Sequence, residues 1–317
     1  MSRKSDRAHW VLETISAPSG GPGLRIAVFT KNRSNPAYDA ARLGADRAGA
    51  LLGARIQHFV PDKGDDPDEQ SALVDQALGT RPDAIVFTPV HATRVNGALE
   101  RIRDAGIPLF GFVNPIPAVR CVSYVGSDDY RLGFAIAQVL YGHLQGRARV
   151  LLVSGPLESV TSIARMRAFR AAAAEHPGIT IAGSCAGDYL RERARAAVDA
   201  WRAANGEFEA CLAANDVMAL GALDALRAAG RTAVVAGVNA IPEAIAAIKS
   251  GELLATADFN AMRMAYLATE CAVRHLRGEP VPERVELPVE IVTVDNCHLW
   301  DLPFAQRAIP TLEQTLA

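Results

Sequence analysis

Cysteine is scarce and scattered in this chain. Cys121, Cys185, Cys211, Cys271 and Cys297 include no Cys-x-x-Cys pair, and their odd number leaves at least one thiol free. Buried small hydrophobes is the role expected of most of them. The seven histidines form no metal-spaced pair, so no metal is expected. Charge of one sign is missing too: 33 basic against 35 acidic residues leave a net charge of −2, which gives no electrostatic case for nucleic acid or an anionic membrane. The basic stretch Arg165-Met166-Arg167-Ala168-Phe169-Arg170 reads, in that setting, as a solvated helix face. Every apolar run is broken well before the roughly 18 residues that a membrane span needs. The glycines Gly20, Gly21 and Gly23 precede the first apolar strand, whereas a dinucleotide fingerprint needs them after it. No Walker lysine loop occurs, and Val153-Ser154-Gly155-Pro156 lacks the flanking glycine of a nucleophile elbow. No cofactor and no enzymatic activity are expected, because no nucleophile–base pair is visible.

What is present is length and alternation. A chain of 317 residues exceeds what one hydrophobic core usually serves, so two lobes are expected. After the lead-in Ser19-Gly20-Gly21-Pro22-Gly23, Leu24 to Thr30 reads as a strand and Ala37 to Leu52 as a helix. Arg55 to Val60 is a strand, and Asp65-Asp66-Pro67-Asp68-Glu69 opens a helix. That acidic run fails the spacing of a calcium loop. Arg81 to Pro89, Ile107 to Val113 and Val122 to Val125 continue as strands, with a helix ending near Ala105-Gly106. The plan then repeats with strands at Ala148–Ser154, Ile179–Ala186 and Ala233–Val238 between helical stretches. Such alternation predicts βαβ units and parallel sheets covered on both faces.

Within the second half, Phe208-Glu209-Ala210-Cys211-Leu212 reads as a buried strand, and Leu220 to Leu226 carries helical apolar spacing. Asn215 and Asp216 therefore sit where a strand ends and a helix begins, the place where open parallel sheets bind small ligands. Asp216 is the expected N-cap, which leaves the amide of Asn215 free for a ligand; a cap alone is the plainer reading of the pair. An internal echo accompanies this unit. The run from Ala84 through Thr88 and Asp104-Ala105-Gly106 to Asn114 parallels the run from Ala210 through Asn215 and Ala228-Ala229-Gly230 to Asn239. Two similar lobes place two sets of strand ends face to face across a cleft.

The segment Ala213-Ala214-Asn215-Asp216-Val217-Met218-Ala219-Leu220-Gly221-Ala222 closely resembles the Asn-Asp-x-Met-Ala-x-Gly-Ala segment of periplasmic sugar-binding proteins of the ribose-binding type. These are solute receptors of ABC importers that share a fold with LacI-type effector domains. The resemblance runs from Leu24 to about Val294. It implies two similar Rossmann-like α/β lobes with parallel sheets, joined by a three-strand hinge: a type I periplasmic binding protein. The implied lobes are 24–127 plus 260–288 and 128–259 plus 289–317, after a flexible segment 1–23, with the tail strapping across them. Ser34-Asn35-Pro36-Ala37-Tyr38 matches the family's Asn-Pro-aromatic segment, so Asn35 and Tyr38 inherit its sugar contacts. Thr88 stands at a polar contact position. Thr161-Ser162-Ile163-Ala164-Arg165 resembles the helix whose arginine reaches sugar hydroxyls, and Gly187-Asp188-Tyr189 resembles a segment that supplies an aromatic platform. Asn215 matches directly, and Asp258 or Asn260 fits the second crossing between lobes.

Two departures stand out. The family's usual Asp-Arg pair is Val113-Asn114 here, and its strand-end aspartate is Asn239. Arg165 is then expected to lack its carboxylate neighbours, which leaves open a smaller, less hydroxylated or negatively charged ligand. The resemblance implies binding by hinge closure of a monosaccharide, polyol or related small polar solute, by a monomer that serves an ABC permease in the periplasm. A ligand-sensing regulator of the same fold is the alternative. Met1 to Pro18 begins basic, but His9-Trp10-Val11-Leu12 is too short for a signal-peptide core, so a replaced leader, a misplaced start and a cytoplasmic protein all stay open.

Overall fold

A computed structural model describes residues 23–316; the N-terminal stretch read above for export, and most of the glycine-rich lead-in, lie outside the described residues. The chain runs β1 (Arg25–Phe29), α1 (Pro36–Leu52), β2 (Arg55–Phe59), α2 (Pro67–Gly79), β3 (Ala84–Phe87), α3 (Asn96–Asp104), β4 (Leu109–Phe112) and β5 (Ser123–Gly126). It continues with α4 (Asp129–His143), β6 (Arg147–Ser154), α5 (Val160–Ala174), β7 (Gly178–Ala186), α6 (Arg191–Asn205), β8 (Ala210–Ala213), α7 (Asp216–Ala228), β9 (Val234–Val238) and α8 (Pro242–Lys249). It closes with β10 (Ala255–Asp258), α9 (Ala261–Leu276), β11 (Arg284–Glu286), β12 (Glu290–Thr293) and α10 (Leu312–Leu316).

Two six-stranded sheets result, in the orders β11-β5-β4-β3-β1-β2 and β12-β10-β9-β8-β6-β7. All pairings are parallel except that of β12, which runs antiparallel to β10. Inner strands such as Ala84-Ile85-Val86-Phe87 and Ala210-Cys211-Leu212-Ala213 are buried along their whole length, because helices cover both faces of each sheet. Helix starts follow local chemistry: Asp66, Asp128 and Ser159 each cap a helix through a side-chain oxygen that accepts backbone N–H groups. The alanine-rich α1 lies so close to α9 that a Cβ on Gly44 would stand 2.1 Å from the carbonyl oxygen of Met262.

The chain passes between the sheets three times, from β5 to α4, from β10 to α9 and from β11 to β12. Each lobe is therefore assembled from discontinuous stretches. The tail touches both lobes: a 3-10 turn at Cys297–Leu299 lies on α8, a second at Phe304–Gln306 on α1, and α10 on α9. β12 and the first turn thus pack with the second sheet and α8, whereas the tail's end packs on α1 and α9. Polar anchors fix it there, among them Arg47 Nη1 donating to the Arg307 carbonyl at 2.6 Å and the Leu312 amide donating to Glu270 at 2.9 Å.

Candidate functional site

The carboxyl ends of the two sheets face one another across a cavity. From the first lobe it is walled by Lys31, Asn32, Asn35, Tyr38, Asp65 and Val113, and from the second by Thr161, Arg165, Tyr189, Asn215, Asn239 and Phe259. Six of the nine residues singled out from sequence are therefore brought together: Asn35, Tyr38, Arg165, Tyr189, Asn215 and Asn239.

The loop after β1 is built by its own side chains. Asn35 caps α1 by accepting the Ala37 N–H, and Asn32 accepts the Asn35 N–H. Asn32 Nδ2 donates to Asp65 Oδ2 at 2.7 Å, while Lys31 Nζ stands 3.0 Å from Asp65 Oδ1. Burial alone would lower the ammonium's affinity for its proton, but Asp65 overrides it and Lys31 is held above its ordinary range. Its Nζ also lies 5.9 Å from the centre of the Tyr189 ring on the opposite lobe. The Tyr189 hydroxyl is hydrogen-bonded to Ser159 Oγ and Thr161 Oγ1, at 3.0 and 2.9 Å.

Arg165 is 3% exposed and fully engaged. Nε and Nη2 approach Asp129 Oδ1 at 2.8 and 2.7 Å, Nη1 donates to the Ala214 carbonyl at 2.7 Å, and the guanidinium lies over Phe259. Arg165 was expected to have no carboxylate neighbour; Asp129, in the first turn of α4, supplies one from outside the cavity wall.

The Asn215-Asp216 junction also differs from expectation. Asn215 is the N-cap of α7, its Oδ1 accepting the Met218 N–H at 2.9 Å, and its buried Nδ2 has no partner among the described residues. Asp216 instead turns into the sheet, accepting from Thr256 Oγ1 at 2.7 Å and from the Ile241 N–H at 3.1 Å. Gly237 makes room, since a Cβ there would meet the Asp216 carboxylate at 2.3 Å. Burial raises the Asp216 carboxyl to about 7. The cap fell to Asn215 because its backbone is extended (φ −152°, ψ 167°), which is the geometry an N-cap requires.

Asn239 closes β9 at φ 125°, a strained value for a residue with a side chain, and its buried Oδ1 has no partner among the described residues. Val113 closes β4 in the same way, at φ 62°.

Thr88, Asn114 and Asp258 are not brought to the cavity wall. Thr88 is buried below the β3–α3 loop, its carbonyl accepting from Gln70 Nε2, and Asn114 Nδ2 donates to the Pro89 carbonyl. Asp258 faces a separate cavity of about 410 Å³ between hinge and tail, where it accepts from Trp300 Nε1 and the Asn260 N–H, both at 2.7 Å. Burial raises its carboxyl to about 6. Sequence reasoning missed Lys31, Asn32, Asp65, Thr161 and Phe259. Position carried a signal for three of them: Lys31-Asn32 and Asp65 follow the carboxyl ends of β1 and β2, where such sheets bind ligands.

The wall is electrically balanced, Lys31 by Asp65 and Arg165 by Asp129. It offers a free amide donor on Asn215, an acceptor on Asn239 and the aromatic rings of Tyr38, Tyr189 and Phe259. No group of three or more potential metal ligands occurs among the described residues. Such a wall suits hydroxyls and C–H faces better than a charged group.

Residues 26–280 match the family described as "Periplasmic binding protein domain". The chain is 30% identical to a D-ribose/D-allose-binding protein of Pseudomonas aeruginosa, over 85% of this chain and 88% of that one. It is 28% identical to a putative rhizopine-binding protein of Rhizobium meliloti, over 90% and 94%. Among solved structures, an ABC transporter periplasmic solute-binding protein of Actinobacillus succinogenes with bound D-allose superimposes at a TM-score of 0.82, with 25% identity, over 87% of this chain and 99% of that one.

Proposed function

Since this chain belongs to the periplasmic binding protein domain family, we propose that the interlobe cavity is where it holds its solute, a sugar or polyol, as receptor for an ABC importer. One observation carries the site assignment: two complementary amide atoms, Asn215 Nδ2 and Asn239 Oδ1, are buried without partners on the wall of one cavity. Buried polar atoms are normally paired, and leaving one unpaired costs about 1–3 kcal/mol, so a hydroxylated ligand between them is stabilised by both.

The balanced charges favour a neutral ligand over a sugar acid. Every cation on the wall already faces a carboxylate, so a bound anion would gain little and lose its hydration. Asn215, Asn239, Asn35 and Tyr38 grip the solute, Tyr189 and Phe259 cover its C–H faces, and Arg165 positions the Ala214–Asn215 turn. The lobes close about the three crossings, and no bond is made or broken. The closed monomer delivers its solute, in the periplasm, to a membrane permease.

A thermal-shift series with D-ribose, D-allose, xylitol, myo-inositol and their acids tests this. At a hundred times its dissociation constant a ligand adds about 2.7 kcal/mol, several degrees in melting temperature. Stabilisation by a neutral member, lost in N239A, is the expected result; stabilisation by acids alone overturns the neutral assignment.

A further inference from the structure

One contact joins the lobes without belonging to the cavity or to any crossing. His91 lies in the β3–α3 loop of the first lobe and Glu158 in the β6–α5 loop of the second, with Nε2 2.7 Å from Oε2. The imidazole is oriented from behind, since Nδ1 accepts the backbone N–H groups of Thr93 and Arg94, both at 3.1 Å. A ring nitrogen that receives two N–H donors carries no proton of its own. The proton therefore sits on Nε2, which donates to the Glu158 carboxylate. The donor's loop is rigid as well: buried Gln70 clamps it by donating to the Thr88 carbonyl and accepting the Val90 N–H, each at 3.0 Å. The acceptor is different in kind. Glu158 is 73% exposed and precedes Ser159, whose hydroxyl holds that of Tyr189 on the cavity wall.

We propose that His91 and Glu158 form a latch between the lobes, a pair of positioning residues that slows ligand release without touching the ligand. A fixed neutral donor on one lobe meets a mobile carboxylate on the other, and the bond exists only while the lobes are shut. The latch rests on the closure assigned above. It predicts a kinetic signature, because an interaction formed after encounter acts on dissociation and leaves association alone.

The test is stopped-flow release of whichever of D-ribose, D-allose, xylitol and myo-inositol binds, from wild type, E158Q and E158A. Loss of one hydrogen bond to a partly exposed carboxylate should speed release about threefold to tenfold in E158A, with association unchanged. E158Q, which keeps a carbonyl acceptor, should fall between. H91A/E158A should release no faster than E158A. Unchanged release in E158A, with its melting temperature also unchanged, overturns the latch. Should none of the four solutes bind wild type, the receptor reading falls and X-ray scattering decides the latch. A larger radius of gyration in E158A than in wild type supports it, and equal radii overturn it.

Discussion

The units β3–α3–β4 and β8–α7–β9 occupy equivalent places in the two sheets and end alike, yet only the second presents polar side chains to the cavity. Both close their final strand on a residue at positive φ, Val113 and Asn239. They part at the first turn. In the second unit only Ala214 and Asn215 separate strand from helix, so the amide is both cap and cavity wall. In the first unit residues 88–95 intervene, and the polar groups are spent on that loop: Gln70 clamps Thr88 and Val90, and Asn114 fastens Pro89. Loop length thus separates a strand-end amide that reaches the cavity from one that is spent on the backbone. The first lobe compensates from β1 and β2, whose ends carry Lys31, Asn32 and Asp65.

The sharpest way to break this contrast is Arg165→Ala. Arg165 does for Ala214 what Gln70 does for Thr88, but with a buried charge, and removing it strands Asp129. Urea unfolding should show a loss of about 3–5 kcal/mol, with solute binding lost too. Next comes Asp216→Asn. Between roughly pH 4 and 7 the folded form holds a proton that the unfolded form has released, so this carboxyl's contribution is full at low pH and disappears as pH rises through about 7. The urea midpoint of wild type should fall between pH 5 and 8, and that fall should be shallower in D216N; Asp258, raised to about 6, leaves a residual slope of the same sign.

Asn215→Asp sharpens the comparison rather than breaking it. The new side chain keeps the oxygen that caps α7 but loses the Nδ2 donor. Affinity measured by calorimetry should drop about tenfold with stability nearly unchanged, while Asn114→Asp should leave affinity alone. The smallest effect belongs to Thr88→Val. Thr88 Oγ1 is buried with no partner among the described residues, so an isosteric apolar replacement should add up to about 1 kcal/mol to thermal stability without altering binding.

Much of this architecture was legible in sequence because alternation of apolar strands with capped helices is a local property. The repeat of strand, helix and strand end also led directly to Asn215 and Asn239. The partners of charged residues were not legible. Nothing in the spacing of Asp129 from Arg165, or of Asp65 from Lys31, shows that different parts of the fold bring them within 3.0 Å. The same holds for Asp216, whose burial depends on Gly237 one strand away. Thr88 and Asn114 lie away from the cavity wall for a related reason. A motif match fixes their place at a strand end, but not the loop that claims their hydrogen bonds.

The close approach of α1 to α9, at Gly44 and Met262, also has a consequence for biosynthesis. During translation α1 emerges early, and the helix that covers it is made only after the whole second lobe. At about 5–20 residues per second that interval is about ten to forty seconds. For that time the alanine face of α1 has no native cover, and the first sheet lacks the edge strand β11. Within the same interval the second lobe gains everything from α4 to β10 and lacks only its edge strand β12. Each lobe therefore waits for an edge strand from the end of the chain, but only the first also waits for a packing helix, so nascent first lobe is the species most in need of a chaperone.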